Sequence, residues 1–454
     1  MRPTDKLDSA HPGRSRSVLR AVAVRRVLLA IGAVLFLMAL LPEARHLSDP
    51  QLGRSQWLLI GVSGVVLLMG LLGRRIATAY KTSAFVLLNT LIALVLVELA
   101  STAANMALVT QGKPTAVEFA MARANPYFRD KPWADEFWEE QGAAQGGTES
   151  YHPYVIWRGA PFEGRYVRVD KAGFRNTPGG TCTDDAYNIV MFGSSALWGW
   201  GVPDVGTITA FVQARLQGGD RPVCVRNRAQ NAFVSTQDLI ELVRLVQGGD
   251  RIDLAVFFHG FNDASALFET KDAGAHYMVE EIAAKMTGKV EQKGARSFLA
   301  RTTATGQLVR NIMSRNDAEP GPRWSLPEVE VPQKSREALR AYLTNLDVIR
   351  GLSERAGFDV AFFWQPYSGW GVSPGELEGL PGAGSFDGRQ QLIRSVYEAV
   401  RDIAESVPDL HFTADSFVNI DPSVWLDYVH MTPDGNERVA DLILEMLADV
   451  LPPT

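Results

Sequence analysis

The chain has 454 residues, of which 46% are hydrophobic, 21% charged and 9% aromatic, a composition that excludes a disordered tail or a fibrous repeat. Its net charge of −6 gives no global electrostatic reason to expect nucleic-acid binding. The two cysteines, Cys182 and Cys224, are too few for a disulfide-rich scaffold or a four-cysteine zinc site. The first hundred residues are mostly lipid-like, and the remainder has the composition of a soluble domain.

The first part of the chain contains three apolar runs, at residues 27–41, 57–72 and 84–100. A membrane helix needs about 20 apolar residues and rarely fewer than 17, so the first two runs depend on flanking residues to reach that length. The alternative for the first run is a signal peptide, because Arg25 and Arg26 precede it. No small-residue cleavage pattern follows Leu41 and two more runs come next. This favours three transmembrane helices within residues 27–106.

Basic residues predict the orientation of these helices, because cytoplasmic loops are enriched in lysine and arginine. The leading tail, residues 1–26, is rich in arginine, and the loop after the second run carries Arg74, Arg75 and Lys81. The loop after the first run has two arginines offset by two acidic residues. The tail is therefore predicted to be cytoplasmic, and three spans then place everything after about residue 106 on the outer side. Two spans would place it in the cytoplasm instead.

Residues 107–150 are polar and aromatic and are predicted to be a connector, with a loop at 141–147. The connector is expected either to lie over the membrane surface or to pack on the domain that follows, at 151–454. In that domain short apolar runs predict buried strands at 188–192, 223–225, 254–258, 360–364 and 411–413. Helical patterns alternate with them at 207–216, 236–246, 335–356, 390–406 and 434–447. This alternation predicts an α/β domain with a parallel sheet covered on both faces.

The interval 264–333 interrupts the alternation. It is polar, basic in places, and rich in proline from 320 to 332. Two interpretations remain open: an insertion that forms a lid over the crevice, or a solvated loop with one or two helices.

Three segments at the ends of predicted strands or ahead of a helix carry residue types that suit acyl transfer. Residues 193–199 (GSSALWG) follow the first strand, and Ser195 there could be a nucleophile, although such serines are usually helix caps. Asn262 follows the third strand, where an amide N–H could stabilise an oxyanion. His430 precedes the last helix. Asp427 lies three residues before His430 and could supply the carboxylate that orients its imidazole.

Together these segments resemble the SGNH hydrolases, the GDSL-type lipases and esterases. The family's Gly-Asp-Ser block corresponds to residues 193–195, its Gly-x-Asn-Asp block to 260–263, and its Asp-x-x-His block to 427–430. This sequence departs from the pattern at two positions: Ser194 replaces the usual aspartate, and Ala232 is the best match for the glycine of the second block. The resemblance covers residues 151–450 and implies a flavodoxin-like three-layer α/β/α domain.

The resemblance also implies a mechanism and a set of site residues. Ser195 would be the nucleophile, His430 its general base and Asp427 the residue that orients His430. The backbone N–H groups of Ser195 and Ala232, with the amide of Asn262, would form the oxyanion hole. No cofactor or metal is expected, because the sequence has neither zinc-ligand spacing nor a glycine-rich phosphate loop.

These observations predict an anchored serine esterase of the bacterial plasma membrane, with its catalytic domain in the periplasm or outside the cell. The expected substrate is an O-acyl group, in particular O-acetyl, on a cell-envelope or exported glycan, and no nucleic acid is expected. The alternatives are an O-acetyltransferase that uses the same serine with a membrane acyltransferase partner, and a non-catalytic assembly or binding subunit. Whether Cys182 and Cys224 form a disulfide or remain separate thiols is left open.

Overall fold

The computed structural model describes residues 13–40, 54–72, 77–111, 122–145, 149–180, 182–183, 185–219, 221–286, 303–306, 308, 326–373 and 388–452. The chain divides into two compact units. The first comprises Met1–Val109 and Gly294–Met313, and the second comprises Thr110–Lys293 and Ser314–Thr454. Much of the interval predicted as a lid or loop lies outside the described residues, as does most of the basic tail.

In the first unit the described residues of each predicted apolar run lie in a helix: α1 (Gly13–Leu40), α2 (Arg54–Leu72) and α3 (Ala77–Gln111). Within the described residues one segment, Thr82–Ala104 in α3, is long and apolar enough to cross a membrane. The apolar part of α2, Leu59–Leu71, is shorter than a span. The prediction of three membrane-spanning helices is therefore corrected to one candidate span, because the first two apolar stretches are too short on their own.

Glu98 is a carboxylate within this apolar segment, and its partners come from the interrupted interval. It accepts hydrogen bonds from the backbone N–H of Ala304, from the backbone N–H of Thr305 (3.2 Å) and from the Thr305 hydroxyl (2.8 Å). The hydroxyls of Ser101 and Thr305 lie 3.0 Å apart. Residues 303–306 thus pack against α3, a contact that neither the lid nor the solvated-loop interpretation anticipated.

The second unit is built on five parallel strands. They are β5 (Tyr187–Gly193), β6 (Val223–Asn227), β7 (Leu254–His259), β8 (Asp359–Trp364) and β9 (Leu410–Phe412). Their order in the sheet is β6-β5-β7-β8-β9, with every neighbouring pair parallel. This is the flavodoxin-like order, in which the second strand of the chain lies outside the first. The predicted α/β class and the flavodoxin-like arrangement are confirmed.

Both faces of the sheet are buried, which explains why its strands are continuous apolar runs. Along β5, Ile189 and Met191 pack into one hydrophobic cluster, whereas Val190 and Phe192 pack into the other. Helices α6 (Ile208–Arg215) and α12 (Pro433–Met446) contribute to the first cluster. The second cluster includes side chains of α7 (Ser235–Gly248), α8 (Phe261–Thr270), α10 (Val331–Ala356) and α11 (Gly388–Ala404). Helix α5 (Ser195–Trp198) is a single turn, and α9 (Val279–Met286) follows α8.

The connector is part of the folded unit. Residues 134–145 form α4 (Ala134–Gln145), whose Phe137 and Trp138 are buried in the first cluster, so the loop predicted at 141–147 is wrong over its first five residues. Two antiparallel hairpins follow: β1 (Ser150–His152) with β2 (Ile156–Arg158), and β3 (Phe162–Glu163) with β4 (Arg168–Val169).

The two cysteines form a disulfide. Cys182 precedes β5 and Cys224 is the second residue of β6, with their Cα atoms 5.0 Å apart, within the usual range for a bridge. The bond lies towards the amino ends of these strands, away from the end at which β5 leads into Ser195. Its place in the fold indicates a structural role.

Candidate active site

Ser195 lies where the central strand β5 turns into α5. Gly193 ends the strand, and a side chain there would place its Cβ 2.6 Å from the carbonyl oxygen of Phe258. Ser194 is the N-cap residue, but its side chain makes no capping hydrogen bond, and α5 ends after one turn at Gly199 with a φ of 95°. The residue types therefore suit a tight strand-to-helix turn that presents Ser195 at the carboxyl edge of the sheet.

His430 and Asp427 come from a short loop that is closed by its own backbone. The N–H of Leu426 donates to the carbonyl of His430 at 2.8 Å, and Thr432 caps α12 directly afterwards. Within the loop Asp427 Oδ1 accepts the backbone N–H groups of Val429 and His430, both at 2.7 Å. The loop is thus folded around the carboxylate, which is held in place before it meets the imidazole.

The structure brings the three predicted catalytic side chains into one hydrogen-bonded series. Asp427 Oδ2 lies 2.6 Å from His430 Nδ1, and His430 Nε2 lies 2.8 Å from Ser195 Oγ. The carboxylate assigns the imidazole proton to Nδ1, so Nε2 can accept the proton of the serine hydroxyl. Burial alone would raise the pKa of Asp427, but the charge and hydrogen bond of His430 and the two backbone N–H groups lower it below the usual value. Asp427 therefore stays ionised beside the base.

The choice between the two adjacent serines is decided by direction. Ser194 Oγ points into the protein and lies 3.4 Å from Gln365 Oε1, whereas Ser195 Oγ meets His430. Ser194, at the position of the family's aspartate, is buried. Of the two, Ser195 is the one whose hydroxyl lies within hydrogen-bonding distance of His430.

The predicted oxyanion donors lie in three segments, and the segment that carries Ala232 contacts both of the others. Asn262, in the first turn of α8, donates its side-chain N–H to the carbonyl of Phe233 at 3.0 Å. Phe233 directly follows Ala232, and the same loop is joined to the nucleophile turn because the N–H of Gln230 donates to the carbonyl of Gly193 at 3.1 Å. The fold thus joins the Ala232 loop to both Asn262 and the nucleophile turn.

Ala232 has a φ of 59°, in the left-handed region. That conformation costs a residue with a Cβ about 1–2 kcal/mol relative to the right-handed region. Glycine would adopt it without this penalty, which is the physical reason why a glycine suits this position. The alanine keeps the glycine-like backbone at the expense of strain.

Two tryptophans that are not among the predicted site residues pack at the site. The ring of Trp200 lies on the imidazole of His430, with ring centroids 4.4 Å apart and planes at 31°. Trp138 of the connector helix packs on Trp200 at 6.1 Å. Trp138 lies almost three hundred residues before His430, and no spacing rule links the two. Only the tertiary structure therefore reveals that Trp138 packs behind the ring that contacts His430.

A buried arginine also supports the nucleophile turn. Arg175 lies 2.5 Å from Asp204 and donates to the carbonyls of Gly199 (3.1 Å) and Val202 (2.9 Å). Its guanidinium stacks on Trp198 at 4.5 Å. The turn that ends α5 is thereby fixed from outside. Among the described residues no group of three or more His, Cys, Asp or Glu side chains is arranged to hold a metal ion.

No family model matches the sequence, and no curated protein matches it. Solved structures that match include a carbohydrate acetylesterase from Sinorhizobium meliloti (14% identity, 58% of this chain, all of that chain, TM-score 0.30). They also include a lipase/acylhydrolase from Enterococcus faecalis (16%, 59% of this chain, 98% of that chain, 0.30) and an aryl esterase from M. smegmatis (15%, 59%, all of that chain, 0.30). At identities this low, the role of each side chain rests on the geometry of this chain.

Proposed function

We propose that the chain is a serine esterase of the SGNH type that works through an acyl-enzyme. The observation that carries this proposal is the series Asp427–His430–Ser195, with hydrogen-bond distances of 2.6 and 2.8 Å. A nucleophile, a base within reach of it, and a carboxylate that orients the base are the parts that covalent acyl transfer requires.

In the first half-reaction Ser195 Oγ attacks the ester carbonyl carbon while His430 Nε2 takes the hydroxyl proton. The C–O bond to the leaving alcohol then breaks, and the imidazolium returns that proton to the alcohol oxygen. In the second half a water attacks the acyl-serine carbonyl carbon and loses a proton to His430 Nε2. The bond between that carbon and Ser195 Oγ then breaks, the imidazolium returns the proton to Ser195 Oγ, and the carboxylic acid leaves. Asp427 stabilises the imidazolium in both halves without taking its proton.

The oxyanion formed at each step would be held by the backbone N–H groups of Ser195 and Ala232 and the side-chain amide of Asn262. The contact between Asn262 and Phe233 supports this assignment, because it holds the amide beside the loop that carries Ala232. Donors of this kind each contribute about 2.7–4 kcal/mol to transition-state stabilisation.

For location, we propose that residues 82–104 cross the bacterial plasma membrane and that the esterase domain faces the periplasm or the cell exterior. Arg74, Arg75 and Lys81 come just before this segment, which favours a cytoplasmic start and an outer domain. With a cytoplasmic start, one span places the domain on the outer side, as three spans would, whereas two spans would place it in the cytoplasm. The Cys182–Cys224 disulfide supports the outer location, because such bonds persist in oxidising compartments. Labelling of a Glu149→Cys chain in intact cells by an impermeant maleimide tests it: protection from the reagent contradicts an outer domain.

For substrate, we propose O-acyl groups, in particular O-acetyl, on an envelope or exported glycan. This rests on the range of substrates in the SGNH family and on the proposed location. Acetate release from an O-acetylated polysaccharide by the full-length chain is the direct measurement. If added oligosaccharide instead competes with water for the acyl-enzyme, the chain is an O-acetyltransferase, which would need a membrane acyltransferase partner to supply acyl groups.

The serine mechanism is tested with the full-length chain in detergent, using p-nitrophenyl acetate and a serine-directed fluorophosphonate probe. Ser195→Ala is expected to abolish both hydrolysis and labelling. Ser194→Ala is the matched control, because Ser194 is adjacent but points away from His430, and it is expected to retain labelling. A wild-type chain that is neither active nor labelled would favour a non-catalytic binding or assembly subunit.

A further inference from the structure

The unusual backbone of Ala232 needs support from its surroundings, because a residue with a Cβ does not hold a left-handed φ unaided. The support comes from residues far away in the sequence. Trp157, in β2, donates its indole N–H to the carbonyl of Asn231 at 2.9 Å. Its ring also packs edge-to-face on Phe233, with centroids 5.7 Å apart. One side chain therefore contacts the residues immediately before and after Ala232.

Trp157 is itself fixed. It is 7% exposed and forms a small buried cluster with Val155 and Phe233. Its backbone lies in the β1–β2 hairpin, in register with Tyr151. The ring of His276 packs on it edge-to-face at 5.9 Å. An indole held on several sides has few alternative positions, so its N–H and ring set where Asn231 and Phe233 can lie.

Two further hydrogen bonds join the hairpin region to the same loop and to α7, the helix that follows it. The N–H of Gly159, just after β2, donates to Gln230 Oε1 at 2.9 Å. Gln237, in the first turn of α7, donates its side-chain N–H to the carbonyl of Val155 at 2.7 Å. The hairpin region thus contacts Gln230 before Ala232, the two residues next to Ala232, and Gln237 after it. It is a platform for this loop and contributes no strand to the central sheet.

We propose that Trp157 is a positioning residue that holds Ala232 in its left-handed conformation and so keeps the Ala232 N–H directed into the oxyanion hole. The indole provides from outside what a glycine would provide through its own backbone freedom. This inference rests on the proposed function, because it takes Ala232 to be an oxyanion donor. Trp157 acts through Ala232 and has no role in proton transfer.

A double-mutant cycle in the full-length chain tests the proposal, with p-nitrophenyl acetate hydrolysis as the first readout. Trp157→Phe keeps a ring but removes the N–H, and it is expected to lower kcat about tenfold with KM within about twofold, the scale of one lost hydrogen bond. In an Ala232→Gly background the same change is expected to lower kcat less than about threefold, because glycine keeps the left-handed conformation without support. An equal loss in both backgrounds would overturn the proposal, as would an unchanged kcat in Trp157→Phe.

Trp370→Phe is the matched control. Trp370 also donates its indole N–H to a fixed partner, Asp415 at 2.8 Å, but it does not contact the Ala232 loop. Its replacement also removes an indole hydrogen bond, in this case to a carboxylate, and is expected to leave kcat unchanged. A loss equal to that of Trp157→Phe would show that any lost indole hydrogen bond has this effect, and would contradict a specific role.

Amide hydrogen exchange provides a second readout that needs no catalysis. Trp157→Phe is expected to speed exchange in peptides that cover residues 228–236 and to leave those that cover 424–432 unchanged. If the wild-type chain neither turns over nor binds the fluorophosphonate, the proposed function has failed and exchange alone decides whether Trp157 holds the loop. Unchanged exchange at 228–236 would then reject the inference.

Discussion

Two loops meet at the candidate active site, and they are stabilised in different ways. The loop at 424–432 closes on itself, because Asp427 accepts N–H groups from residues two and three positions later and Leu426 pairs with His430. The loop at 228–234 is held largely by distant residues, among them Trp157 and Asn262. Asp427 is thus held mainly by hydrogen bonds within its own loop, which Asn125 and Ser368 also contact from elsewhere, whereas the loop of the proposed oxyanion donor depends more on distant side chains.

Substitutions in the loop at 424–432 are expected to give the largest losses of activity. His430→Ala is expected to lower kcat about 10⁵- to 10⁶-fold, because it removes the only base that contacts Ser195 in the described structure. Asp427→Asn is expected to cost about 10⁴-fold through loss of the correct tautomer. Steady-state hydrolysis measures both, and thermal unfolding checks that the fold survives. An Asp427→Asn chain at the wild-type rate would show that the 2.6 Å contact is not part of catalysis.

Asn262, which contacts the loop at 228–234, is expected to give the next largest loss of activity. Asn262→Ala is expected to lower kcat about 10²- to 10³-fold with a small change in KM, because an oxyanion donor acts mainly in the transition state. The fluorophosphonate labelling rate should fall as well. If KM rises while kcat is unchanged, Asn262 binds the substrate in its ground state, and its assignment as an oxyanion donor is wrong.

Substitution of Trp200 tests how far His430, in the loop at 424–432, depends on the ring that packs on it. Trp200→Leu removes the ring that lies on His430 and is expected to lower kcat up to about tenfold, the scale of an aromatic pair of about 1 kcal/mol. Trp200→Phe keeps a ring and should recover most of the rate. Equal rates for the two variants would mean that the stacking contributes nothing beyond packing.

Ala232→Gly is expected to stabilise the fold slightly, whereas the substitutions above are expected to lower activity. Removing the Cβ relieves the left-handed strain, and it should raise the free energy of unfolding by up to about 1 kcal/mol after the backbone entropy of glycine is subtracted. Ala229→Gly is the control, because Ala229 is buried in the same loop without a positive φ and should be destabilised. Thermal midpoints in detergent distinguish the two, and a destabilised Ala232→Gly chain would argue against the strain.

The pH dependence of stability is the most subtle test. The pKa of Asp427 is lowered in the folded chain, so its contribution to stability is complete above the unfolded value near 3.9 and is lost as the pH falls through the folded value. The stability difference between wild type and Asp427→Asn, measured as thermal midpoints, should therefore not shrink between pH 7 and 5 and should shrink in stronger acid. A difference that shrinks already between pH 7 and 6 would contradict the lowered pKa.

Sequence patterns predicted the elements of the sheet domain well, because parallel strands buried on both faces need unbroken apolar runs. The run at 188–192 lies within β5, and that at 254–258 lies within β7. The error in this domain lies next to a predicted motif, where the start of the predicted insertion falls inside a helix. The predicted insertion begins at residue 264 and so takes in most of helix α8, although Ala264, Leu267 and Phe268 are buried in the core.

The membrane part was predicted less accurately. Helices lie at all three apolar runs, but apolar length decides which of them can span, and only residues 82–104 among those described meet that length. The partners of Glu98 come from residues 303–306, two hundred positions away. Hydropathy indicates how apolar a segment is, but it carries no information about which distant backbone N–H groups satisfy a carboxylate within it.

The sequence by itself determined the parallel α/β fold and the segments that carry Ser195, Asp427 and His430, because apolar runs, a tight glycine-serine turn and an Asp-x-x-His loop depend on nearby residues. The tertiary structure decided which of two adjacent serines faces the base and how Ala232 is held. It also places Trp200 on His430, Trp138 on Trp200, and Trp157 against Asn231 and Phe233. Those contacts join segments far apart in the chain, and their geometry is set only when the sheet, the hairpin and the connector pack together.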